Sequence, residues 1–262
     1  MKDCDTMGTI DLNCDMGESF GRYSLGLDEE AIKHISSANI ACGWHAGDAR
    51  VMHGTVRLAA EHGVGVGAHP GYPDLQGFGR RNMDCSQDEI RDYVIYQIGA
   101  LMAFCKANRV PMQHVKPHGA LYLTALEAES AARGVAEAVA SVDPQLLCVT
   151  LAGPKGALMT RIGEEVGIRV VYEAFPDRAY TPDGTLLSRR LPGAVITGPD
   201  QVAQRAVMMA RDHKVVAVDG TVIDLEAQTL CVHGDTPGAV EIVKRIRKLF
   251  SEETIEVRGM GT

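Results

Sequence analysis

No apolar stretch in this chain approaches the roughly 18 to 20 residues of a membrane-spanning helix. The first residues, "MKDCDTMGTIDLNCD", also lack the apolar core of a signal peptide. Seven cysteines, at positions 4, 14, 42, 85, 105, 148 and 231, form an odd set without a Cys-x-x-Cys pair. A disulfide framework and a structural zinc site are therefore not expected, and a reducing cytoplasm is the expected location. Positive charge is in deficit: 26 basic residues against 34 acidic ones give a net charge of -8. That balance argues against a nucleic-acid surface. The one dense basic cluster, Lys244, Arg245, Arg247 and Lys248, falls late in a predicted helix, where it reads as a solvated face. No GxxxxGK[ST] phosphate loop is present. "GVGVGAHPG" has alanine where the third glycine of a dinucleotide fingerprint belongs.

What is present is a βα rhythm. Short apolar runs at 9–13, 38–42, 64–68, 112–116, 146–151, 168–173, 193–197 and 229–232 alternate with helical patterns, the signature of a parallel sheet. Aromatics are few at 5%, but 45% apolar and 23% charged residues are ordinary globular composition, and 262 residues suit one domain. Helices are expected from Asp28, after Asp48 as N-cap, and after Ser86, which forms a capping box with Glu89. Ile90, Val94, Ile98 and Leu101 supply a core-facing stripe. A last helix is expected after Thr236 and Pro237. "KVVAVDGTVID" predicts a hairpin turning at Asp219-Gly220. Two long connections, 70–85 and 175–192, have the length of lids or binding loops.

The strand ends carry the chemistry. Beyond the first strand stand Asn13, Asp15 and Glu18; beyond the second, Trp44, His45 and Asp48; beyond the third, His69. Lys116 and His118 follow the fourth, Glu173, Asp177 and Arg178 the sixth, and His233 and Asp235 the last. In a βα barrel these turns share one face, so ionisable groups from six strands would converge on one pocket. Asp48 reads first as a helix cap. The joint pattern reads as a site, because crowded charges need partners.

These motifs, "DLNCDMGESFG" (11–21), "NIACGWHAGD" (39–48), "GAHPGYPDLQGFGRR" (67–81), "VKPHGALY" (115–122), "DRAYTPDGTLLSR" (177–189) and "CVHGDTP" (231–237), resemble the LamB/YcsF family of lactam-utilisation proteins. The likeness runs from about residue 9 to 250, leaving 1–8 and 251–262 as terminal segments. Trp44 stands where the family pattern has phenylalanine, a volume change expected to reshape the pocket. Leu123 stands where it has asparagine.

The resemblance implies a single-domain, distorted parallel βα barrel akin to glycoside hydrolases and sugar deacetylases. It also implies work with 5-oxoprolinase subunits B and C in opening 5-oxo-L-proline to L-glutamate at the expense of ATP. With no phosphate loop here, ATP with Mg is expected to be handled mainly by those partners. Activating the lactam oxygen by phosphorylation leaves hydrolysis needing a base, charge-stabilising donors and a proton for nitrogen. Asp15, His45, Lys116, His118 and Asp235 are the candidates for that work, and Asn13, His69, Arg80, Glu173, Arg178 and His233 for holding substrate. Asp15, His45, His69, His118 and His233 offer a mixed oxygen and nitrogen shell for a metal. Two other readings remain open: a metal-dependent deacetylase of N-acetyl sugars, and a non-catalytic lactam-binding subunit.

Overall fold

The computed structural model describes residues 8–232 and 238–261. His233, Asp235 and the expected cap Thr236-Pro237 lie outside the described residues.

Ten strands are described: β1 (Thr9–Met16), β2 (Ser37–Ala41), β3 (Gly65–His69), β4 (Met112–Val115), β5 (Leu147–Leu151), β6 (Arg169–Ala174), β7 (Lys214–Val216), β8 (Val222–Asp224), β9 (Thr229–Val232) and β10 (Glu256–Val257). The helices are α1 (Asp28–Ala31), α2 (Ala49–His62), α3 (Gln87–Asn108), α4 (Gly119–Glu127), α5 (Glu129–Val142), α6 (Ala157–Val166), α7 (Pro199–Val207) and α8 (Ala239–Glu252). Among the described residues, seven parallel strands in the order β1-β2-β3-β4-β5-β6-β9 close into a barrel through the β9–β1 pairing. Closure leaves the barrel without a free sheet edge. The β7–β8 hairpin forms where "KVVAVDGTVID" predicts it.

One expected strand is absent. Residues 193–197 form no strand and make a single bridge, Val195 to Arg178. Gly193 takes φ 77°, outside the extended region, and the Ala194 carbonyl accepts the Arg178 Nε–H at 3.1 Å. Of this run only Ala194 is buried, and Val195 and Ile196 are half-buried. The segment is apolar without the burial of a barrel strand.

Helix ends follow their chemistry. Asp48 accepts from the amides of Arg50 and Val51 at 2.8 and 3.0 Å, and Ser86 with Glu89 makes the reciprocal capping box of α3. Ile90, Val94, Ile98 and Leu101 are all buried on α3, each contributing roughly 1.5–3 kcal/mol by leaving water.

Strand alternation divides β1 sharply. Leu12, Cys14 and Met16 join the core beneath the helices, while Asp11, Asn13 and Asp15 point into the barrel. The interior is accordingly polar over most of its circumference, with Ser37, Asn39, His114, Lys116, Glu173 and Thr229 buried beside them. The remainder is filled by Leu147, Val149, Val171 and Met260. The C-terminal segment belongs to this construction, because β10 pairs with β1 and the Met260 carbonyl accepts from Gln113 Nε2 at 2.8 Å. Gly67 on β3 is needed for close approach: a Cβ there would sit 2.1 Å from His114 Nε2.

Candidate functional site

The C-terminal ends of β1, β3 and β4 deliver Asp15, His69, Lys116 and His118 to a cavity of about 560 Å³. Both long connections wall it. Residues 80–82 come from one, and Phe175, Arg178 and 186–190 from the other. Arg80, Arg81, Arg178, Arg189 and Arg190 give the mouth a cationic rim. A second depression, about 610 Å³, lies beside α6 and the hairpin; none of the convergent residues reaches it.

Lys116 is the centre of the floor. Its Nζ donates to Asp15 Oδ1 at 2.9 Å, lies 3.0 Å from Glu173 Oε1, and reaches Cys231 Sγ at 3.0 Å and Asn13 Oδ1 at 3.5 Å. Burial opposes its charge, but Asp15 first and Glu173 among the others outweigh burial and hold its pKa well above the usual value. Burial pushes the Cys231 thiol well up, so the sulfur stays protonated against the ammonium.

Amides orient this core. Asn13 Nδ2 donates to Glu173 Oε1 at 2.9 Å and to Thr229 Oγ1 at 2.6 Å, and Asn39 Nδ2 donates to Asn13 Oδ1 at 2.7 Å and Asp15 Oδ1 at 2.8 Å. Asn39 Oδ1 accepts from His114 Nε2 at 2.7 Å. Burial, then Lys116, depresses the His114 pKa to about 3, so this ring is neutral.

Above the lysine lie three histidines and Glu18. His69 Nδ1 meets the Lys116 carbonyl at 2.7 Å, His118 Nε2 meets the Phe78 carbonyl at 2.8 Å, and the remaining nitrogens face each other at 2.9 Å. Phe78 takes φ 55°, a left-handed backbone costly for a bulky residue, and that turn aims its carbonyl at His118. His45 stacks on His118 with ring centroids 3.7 Å apart and planes 3° from parallel. Burial lowers the pKa of both rings well below the usual value, aided by His69 at His45 and by His45 at His118. Ligand atoms of Glu18, His45, His69 and His118 all lie within 4.8 Å of one another. Asp15 Oδ2 lies 3.4 Å from His69 Nε2 and is outside that set.

Of the residues singled out in the sequence, Asn13, Asp15, His45, His69, Lys116, His118 and Glu173 come together in the barrel mouth. Arg80 and Arg178 reach its rim. Arg178 is buried and engaged, with Nε on Ala194 and one terminal nitrogen on the Leu187 carbonyl at 2.6 Å; burial lowers its pKa to about 10. His233 and Asp235 fall outside the described residues, so the expected metal shell is described without His233. Trp44 does not reshape the cavity. It packs outward on Tyr93 and Tyr96, with centroids 4.9 and 5.3 Å away. Leu123 lines the mouth.

Sequence reasoning overlooked Asn39, Cys231 and Tyr122, and gave Glu18 no role. The period-2 alternation of β2 and β9 marks Asn39 and Cys231 as inward residues. Tyr122 is buried on α4, and burial followed by the Glu173 carboxylate drives its hydroxyl pKa well up.

Comparison with known proteins agrees with the arrangement. The LamB/YcsF family profile matches residues 10–262. The A subunit of 5-oxoprolinase from Pyrococcus furiosus is 54% identical over 252 residues, covering 96% of this chain and 98% of that one. Its counterpart from Thermococcus onnurineus is 55% identical over 252 residues, with the same coverage. The crystal structure of a lactam utilization protein from Thermus thermophilus superposes with a TM-score of 0.90 at 47% identity, covering 96% of this chain and all of that one. With the family profile, relatives above 50% identity and the barrel all matching along nearly its whole length, the chain belongs to the LamB/YcsF family.

Proposed function

We propose that this chain is the ring-opening subunit of an ATP-dependent 5-oxoprolinase, converting 5-oxo-L-proline to L-glutamate as ATP becomes ADP and phosphate. The observation that carries this reading is the buried Lys116, set between Asp15 and Glu173 beneath an arginine-rimmed cavity of small-molecule size. Such a rim suits a small anion bearing a carboxylate and a phosphoryl group. The names of relatives at 54–55% identity point to the same substrate.

Amide resonance makes the free lactam a poor electrophile. Phosphorylation of its oxygen yields an imidate-like ring carbon that water can attack. Asp15, which lines the cavity at the end of β1, accepts the proton of that water. Lys116 Nζ faces the oxygen on which charge develops. Return of the proton from Asp15 to the ring nitrogen allows the C–N bond to break, leaving an acyl phosphate. Its hydrolysis releases glutamate and phosphate. Arg80 holds the substrate carboxylate at the rim, while the sequence lacks a phosphate loop and leaves Mg-ATP mainly to subunits B and C. No described helix is long and apolar enough to cross a membrane. We place the assembly in the cytoplasm.

The test is reconstitution: glutamate formation from 5-oxoproline, with and without ATP, omitting each of the three proteins in turn. Product only from the complete mixture is expected. An assembled, folded complex that makes none, or that works equally well with Asp15→Asn, would sink the assignment.

A further inference from the structure

Among the described residues, the histidine pair at the mouth has a donor deficit. His69 Nδ1 and His118 Nε2 each face a backbone carbonyl, which only accepts, so both carry their ring hydrogen there. Neutral rings then present lone pairs to one another at 2.9 Å, His69 Nε2 against His118 Nδ1. The nearby groups are acceptors too: Glu18 Oε1 lies 3.9 Å from His118 Nδ1, and Asp15 Oδ2 3.4 Å from His69 Nε2. Facing lone pairs beside carboxylates call for a cation. Both ring nitrogens of His45, fully buried next to them, also lack a hydrogen bond among the described residues.

We propose that His69 Nε2, His118 Nδ1 and Glu18 Oε1 form a site for a divalent transition metal, with zinc the first choice. Nitrogen and oxygen donors of this kind bind such ions at about 2.0–2.2 Å, and two imidazoles with one carboxylate leave positions open. The 4.8 Å limit on the separations of these ligand atoms fits that sphere. A metal-bound histidine commonly donates its other N–H to a carbonyl or carboxylate, as both rings here do.

His45 is excluded as a ligand to the same ion by its stacking. An ion in the plane of the His118 ring lies well off the plane of a parallel ring 3.7 Å away. Its Nε2 faces Glu18 Oε1 instead, at 3.7 Å. A bound ion would act on the oxygen of a ligand in the cavity as a Lewis acid.

The test is binding, independent of turnover. The chain is stripped with a chelator and titrated with Zn2+ and with Co2+ by calorimetry, with thermal melts alongside. One equivalent bound and a melting temperature raised by metal are expected, with affinity reduced about 100-fold or more in Glu18→Gln and His118→Gln. His45→Phe, which keeps the stacked ring, should still bind one equivalent. Should the ligand variants not fold, the visible spectrum of the Co2+-loaded native chain decides, with histidine-ligated bands expected. Absence of binding by the stripped chain, undiminished binding by the ligand variants, or a spectrum of cobalt bound only by water overturns the site and leaves a proton shared by the pair. Loss of binding in a folded His45→Phe overturns the three-ligand assignment.

Discussion

Lys116 and Asp15, 101 residues apart in sequence, are joined at 2.9 Å with 3% and 8% of their side chains exposed. Glu173 shares the same ammonium and is wholly buried. Lys116→Met would leave two interior carboxylates without their cation. A loss of roughly 3–5 kcal/mol is expected from breaking such a buried pair. Urea denaturation measures it, and in the assembled complex turnover should fall at least about 100-fold.

Gly79 takes φ 62°, and a Cβ there would lie 2.7 Å from His118 Cδ2 and 2.8 Å from His45 Cβ. Gly79→Ala therefore adds backbone strain and pushes on both stacked rings. A destabilisation of about 1–3 kcal/mol is expected. Turnover should drop by more than the stability change explains, which parallel melts and rate assays on the same preparations would show.

Arg80 sits at the mouth with its guanidinium 4.8 Å from the Phe78 ring centroid. Truncation to alanine would remove the proposed substrate anchor. KM for 5-oxoproline should rise about tenfold or more while kcat changes little. A fall in kcat at constant KM would place Arg80 in the chemical step instead.

Asp11 accepts from Ser36, Ser37 and Thr229 inside the barrel, yet burial outweighs these bonds and raises its pKa from 3.8 to about 6. Between those values the folded chain keeps a proton that the unfolded chain has released. Asp11's contribution to stability is therefore greatest below pH 3.8 and falls as pH rises through 6, by about 2–3 kcal/mol. Subtracting the stability–pH curve of Asp11→Asn from that of the native chain should show a decline confined to this window. A flat difference would refute it.

Much of this was legible in the sequence because strand-end chemistry and βα rhythm are local signals. Asp15, His69, Lys116 and His118 stand at or just beyond their strands, and the fold needed only to close for them to meet. The 193–197 run misled because its apolar content is not matched by burial: only Ala194 is buried, and its carbonyl accepts from Arg178. The partner relations stayed hidden. Nothing in the spacing of Glu18 announces that it faces His45 and His118, since that depends on how the β1 turn bends back over the mouth. Asn39 and Cys231 lie within strands, and attention to the residues beyond strand ends passed over them.

The polar lining gives the barrel a direction as well as a shape. Ionised Asp11 can only accept, so Thr229 must donate to it and in turn accepts from the Asn13 amide. Asn13 is thereby turned with its oxygen toward Asn39 and Lys116. Asn39, donating to Asn13 and Asp15, leaves its own oxygen to accept from His114 Nε2. A carboxylate near the floor thus dictates, through an unbroken relay of one-way bonds, which face each group shows at the reacting end. Glu173 and Lys116 hold the Asn13 amide in the same sense from the other end, so the polarity is anchored twice.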